Sequence, residues 1–62
     1  MSNRELFEIA IKYVEKEYSV DNLIDGDDLY SASKEDRKIC IKYYSEIRDK
    51  GLKWANKYIN KL

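Results

Sequence analysis

The sequence predicts an all-α fold, either a small helical hairpin or a three-helix bundle, with a long amphipathic helix at the C-terminus. Three observations carry this reading. From Lys34 onward, Cys40, Tyr43, Tyr44, Ile47, Gly51, Trp54, Ala55, Tyr58 and Leu62 fall within one arc of about 120° at helical spacing. Lys38, Lys42, Glu46, Asp49, Lys50, Lys53 and Lys57 fall on the opposite side. Ser2-Asn3-Arg4-Glu5 has the form of a capping box. Ser33-Lys34-Glu35-Asp36 offers an N-cap followed by acidic residues in the first turn, where the helix dipole favours them.

The first helix is expected from Asn3 to about Tyr18. Its apolar residues, Leu6, Phe7, Ile9, Ala10, Ile11, Tyr13, Val14 and Tyr18, cover about 200° of the wheel, more than one neighbour requires. It must therefore be covered on two sides, by the middle segment or by another chain. Between Ser19 and Ser33 the chain is least regular. Asp25-Gly26-Asp27 reads as a turn, with glycine suited to positive φ, and Val20, Leu23, Ile24, Leu29 and Tyr30 flank it. A helical turn or two is expected on each side of that turn.

The long helix is expected to run antiparallel to the first. Gly51 admits two readings. Unbroken phase on both sides of it favours one continuous helix, with the missing side chain admitting a neighbour closely, at a propensity cost of about 1 kcal/mol. Alternatively Arg48-Asp49-Lys50-Gly51-Leu52 resembles a Schellman stop, which would divide the stretch and give three helices.

A chain of 62 residues is a single small domain whose core supplies little net stability, so it needs regular packing, a staple or a partner. Cys40 is the sole cysteine and there is no histidine, which excludes an internal disulfide and leaves no credible zinc ligand set. The longest apolar run, Ile9-Ala10-Ile11, is far too short for a membrane span or signal core. A lone cysteine without an export signal fits a reducing cytoplasm. The charge is balanced, with 12 basic and 12 acidic residues, but it is segregated. Asp21, Asp25, Asp27, Asp28, Glu35 and Asp36 make the middle acidic, against Lys34 alone, and the stretch from Arg37 onward is basic. The bias toward Lys, Ile, Tyr and Asn without proline is common in AT-rich genomes, including those of phages and mobile elements.

No Ser-His-Asp or Cys-His nucleophile system can be assembled without histidine, and Cys40 lies on the apolar arc as a structural thiol. We therefore expect no enzyme, no cofactor and no metal. Aligning Asp21, Asp25 and Asp27 with a calcium loop leaves Leu23 and Ala32 at two essential ligand positions, so the aspartates read as a solvated turn or as a face for a basic partner. Six tyrosines and one tryptophan fit core and boundary packing, and are also the residue types enriched at interfaces. Ile41, Leu52 and Ile59 form a second apolar seam along the long helix, beyond what a two-helix hairpin buries.

The expected function is a small cytoplasmic protein–protein interaction module, a phage- or element-encoded inhibitor or regulator that occludes a surface of a larger protein. Asp25, Asp27, Asp28 and Tyr30 would meet a basic site, with Ile41, Leu52 and Ile59 adding buried area. Two alternatives stand beside it. One is a DNA- or RNA-binding regulator using Lys42, Lys53, Lys57 and Lys61, against which Glu46 and Asp49 interrupt the stripe and arginine is scarce. The other is a homo-oligomer, such as a dimer, paired through the Ile41–Leu52–Ile59 seam.

Overall fold

A computed structural model describes all 62 residues, and it contains helices and no strands. Helix α1 spans Asn3–Glu15, α2 Val20–Asp25, α3 Lys34–Lys50 and α4 Leu52–Tyr58, with 3₁₀ turns at Asp27–Leu29 and Ile59–Lys61.

The capping box that opens α1 is complete: the Ser2 hydroxyl accepts from the Glu5 N–H, and the Ser2 N–H donates to the Glu5 carboxylate, each at 3.1 Å. The helix stops earlier than the apolar pattern suggests. Glu17 takes φ +58°, the Glu17 N–H donates to the Val14 carbonyl, and the Tyr18 N–H reaches back to the Tyr13 carbonyl. Those two bonds and the edge-on contact of the Tyr13 and Tyr18 rings are the marks of a Schellman motif, here built without glycine. Ser19 then caps α2 in a second capping box with Asn22.

The order of contacts along α1 and α3 corrects the expected antiparallel hairpin. The Met1 ammonium meets Asp36, the Leu6 carbonyl accepts from the Cys40 thiol, Phe7 packs on Tyr43, and the Tyr18 carbonyl accepts from the Tyr44 hydroxyl. Both helices therefore advance in the same sense. A parallel pair requires a connection that travels back along the first helix, about 20 Å for 13 residues. Residues 16–33 make that return. On the way they bury Leu23 and Leu29 completely, which covers the second side of α1 from within the chain.

The continuous long helix is also corrected, because the chain breaks at Gly51. This residue has φ +94° and ψ 161°, a region open essentially to glycine alone, and distinct from the left-handed helical geometry of a Schellman stop. Its N–H still donates to the Ile47 carbonyl, closing α3, and its carbonyl accepts from the Ala55 N–H, opening α4. The apolar phase survives because both pieces face the same core. Ala55 is buried, and Trp54 and Tyr58 pack on Phe7, whose ring is itself fully buried and edge-on to Tyr43. Nor does the glycine admit a close neighbour, since a Cβ there would meet nothing. Helix α4 runs back toward the start of α1, where Arg4 donates to the Ile59 carbonyl at 3.1 Å. The core is thus closed by Leu6, Phe7, Ala10, Ile11 and Tyr13 of α1, Leu23 and Leu29 of the connector, Cys40, Tyr44 and Ile47 of α3, and Ala55 of α4.

Candidate functional site

The connector between α1 and α3 is a fixed surface, held at three points. Arg37 of α3 reaches back to donate to the carbonyls of Leu29 and Tyr30, at 3.2 and 3.1 Å. Asp28 turns inward, accepting from the Lys12 ammonium at 3.0 Å and from the Tyr13 hydroxyl at 2.9 Å. Gly26 lies directly against that hydroxyl and the Asn22 carbonyl, with no room for a Cβ. Its φ is −76°, so the expected positive φ is corrected: glycine is needed here for space, not for backbone freedom.

The electrostatics follow from this geometry. The Lys12 ammonium, with the Tyr13 hydroxyl adding to it, holds the Asp28 carboxyl below its ordinary range against the opposing effect of burial. Burial first, and the Asp28 carboxylate second, push the Tyr13 hydroxyl up to about 12. Asp28 is therefore an internal strut, which removes it from the set of aspartates free to meet a partner.

Asp21, Asp25 and Asp27 remain on the surface and take part in none of the ion pairs of the fold. Tyr30 is 79% exposed even though its own carbonyl is pinned by Arg37. Five large apolar residues are exposed in the whole molecule. Met1 and Leu62 are the chain ends; the other three, Tyr18, Ile24 and Tyr30, all belong to the connector. Sequence reasoning placed Asp25, Asp27 and Tyr30 on this face but missed Ile24, Tyr18 and the clamp Arg37. Ile24 beside the core residue Leu23 carries a usable signal, since a one-and-a-half-turn helix can hide only one side. The Arg37 clamp leaves none, because its partners are carbonyls of any residue type.

The proposed apolar seam does not form as a stripe. Ile41 lies on α3, Leu52 opens α4 and Ile59 begins the last 3₁₀ turn, and all three are half-buried against the core. Of the candidate lysines, Lys42 stays on α3, while Lys53, Lys57 and Lys61 follow the break, all exposed. Glu46 and Lys50 pair at 4.0 Å one turn apart on α3; Asp49 and Lys53 do not pair, because Gly51 separates the two residues.

Two clefts mark the surface. One, of about 310 Å³, is open along α1 between Met1, Glu5, Glu8, Ile9 and Lys12. The other, of about 240 Å³, lies between Val14, Glu17, Tyr18, Tyr44 and Arg48, where Arg48 donates to the Tyr44 hydroxyl at 3.1 Å. Neither is lined by a serine, threonine, cysteine or histidine. Cys40 is fully buried in the core, its thiol pushed up to about 11 by burial, which makes it a packing group. No three acidic or thiol side chains converge in a metal-binding arrangement, and Leu23, at an essential position of the calcium-loop alignment, is core. No helix is long and apolar enough to cross a membrane.

Compared with known proteins, the chain matches no protein-family model, no curated protein and no solved structure.

Proposed function

We propose that this chain is a small protein–protein interaction module whose connector docks on a basic surface of a larger protein. One observation carries the reading: every exposed large apolar side chain other than the two chain ends lies on the connector, beside Asp21, Asp25 and Asp27. Tyr30 is the natural anchor. Tyrosine buries a large ring at low conformational cost and brings a hydroxyl to a polar rim, and here the Arg37 clamp holds the loop beneath it before any partner arrives. The aspartates supply electrostatic complementarity, which sets the encounter rate and excludes other acidic surfaces. Action would be by occlusion, as an inhibitor or regulator, with no catalysis; the composition suits a phage or mobile element of an AT-rich host.

The test is capture from nuclease-treated host lysate, comparing wild type with Asp25→Lys/Asp27→Lys and with Tyr30→Ala. A stoichiometric basic protein retained by the wild type and lost from both variants, at unchanged helicity, is the expected result. A partner that both variants retain would remove the connector from the interface.

A further inference from the structure

The break at Gly51 changes the meaning of the lysines that follow it. In one continuous helix, Asp49 would sit one turn before Lys53 and neutralise the start of the stripe. Instead, residues 51–62 form a separate unit with three lysines and no acidic side chain, following Lys50 at the end of α3. Lys50 is occupied: it lies 4.0 Å from Glu46 and over the Trp54 ring at 4.7 Å. Lys53, Lys57 and Lys61 take part in none of the ion pairs and are all exposed: Lys53 and Lys57 lie one turn apart on α4, and Lys61 follows in the 3₁₀ turn, with Asn56 and Asn60 also exposed. Helix α4 meets α1 through Phe7, whereas the acidic connector meets it through Tyr13, about 120° away around the wheel. The neutral molecule is thus electrically two-sided.

We infer that the Lys53–Lys57–Lys61 set binds the phosphate backbone of duplex nucleic acid, without sequence preference. Lysines act on phosphate as point charges, and no arginine in this unit is placed to read bases. The aromatic residues argue against a single strand. Trp54 and Tyr58 are stacked on each other at 4.9 Å and pack on Phe7, so their rings are already engaged in the fold rather than presented to unpaired bases. A polyanion that repels the connector and attracts α4 would seat the molecule α4-first, with Tyr30 and the aspartates facing away.

The experiment is fluorescence anisotropy with a labelled DNA duplex of mixed sequence. About three neutralised phosphates predict a log–log salt slope of about −2.7, an affinity loss of about forty-fold between about 50 and 200 mM salt. Lys53→Glu/Lys57→Glu should cut the slope to about −1, and the milder Lys53→Gln/Lys57→Gln should weaken binding in the same direction, with circular dichroism unchanged for both. Asp25→Lys/Asp27→Lys should retain duplex binding, which separates this inference from the connector reading. A flat salt response, wild-type affinity in both lysine variants, or lysine-dependent binding to phosphatidylserine vesicles but not to duplex would overturn it. So would lysine-dependent self-association in place of duplex binding.

Discussion

At Gly51 a side chain would find room, but not a backbone that it could adopt. An L-residue at φ +94° and ψ 161° is strained by about 1–3 kcal/mol, and alanine favours the straight helix that the break interrupts. Gly51→Ala should therefore lower stability by about that amount and loosen α4 from Phe7. Trp54 reports the second effect, through a red-shifted emission in the native state; unchanged emission and stability would mean the break is not set by this residue. At Gly26 the limit is space instead, where a methyl group would drive the Tyr13 hydroxyl from Asp28. That hydroxyl also gives the fold an alkaline limit. Because its pKa is raised from 10.0 to about 12 in the folded state, its contribution is complete below pH 10 and fades as the pH climbs through about 12. Asp28 has the opposite sign: held below its ordinary 3.8, it stabilises above that value and loses its contribution as the pH falls through the lower folded value. Thermal melts across the alkaline window should show a smaller fall for Tyr13→Phe than for wild type. An identical fall would assign the effect to the other tyrosines.

At the scale of elements, helix starts were legible and helix stops were not. Ser2 and Ser33 cap where the sequence places them, because an N-cap is a local bond between a hydroxyl and an N–H three residues on. Ser19–Asn22 follows the same rule and is readable in retrospect as a capping box that divides α1 from α2. The stops reverse the usual residue preference. The Schellman motif sits at Glu17, where no glycine announces it, and the glycine that resembles one, Gly51, makes a different break. Periodicity was no guide at either place, since it records which way side chains face and not whether the helix is continuous. The sense of α3 was beyond sequence too, because it depends on the path of residues 16–33. The candidate face was legible in Asp25, Asp27 and Tyr30, but Asp28 was not separable from its neighbours without the positions of Lys12 and Tyr13. Glu17 yields a direct check. Replacing it with glycine removes the cost of a left-handed side chain, offset in part by greater freedom of the unfolded chain, so Glu17→Gly should stabilise by about 0.5–1 kcal/mol. Chemical denaturation measures this, and a destabilised variant would show that the Glu17 side chain matters more than its backbone.

At the scale of the whole molecule, the apolar excess of helix α1, which the middle segment or another chain had to cover, is absorbed internally. The radius of gyration is 10.5 Å, against about 10.6 Å for a compact chain of this length. The accessible surface is 4384 Å², against about 4,200 Å² for a monomer of 7.4 kDa. Both values describe a chain that closes on itself: α4 folds back over Phe7, and the connector covers the other side of α1. The interactions proposed for the two charged faces are then separate from the folding of the core. The Ile41–Leu52–Ile59 set provides the sharpest check. Leu52 is half-buried against this chain's own core, so Leu52→Lys should act as a core mutation, lowering stability by about 1–3 kcal/mol without changing the oligomeric state. Sedimentation equilibrium over a wide concentration range should return a monomer mass for both proteins, and the variant should melt several degrees lower, at about 4–8 °C per kcal/mol for a domain of this size. A wild-type dimer that Leu52→Lys splits would restore the seam as an interface and make association part of the fold.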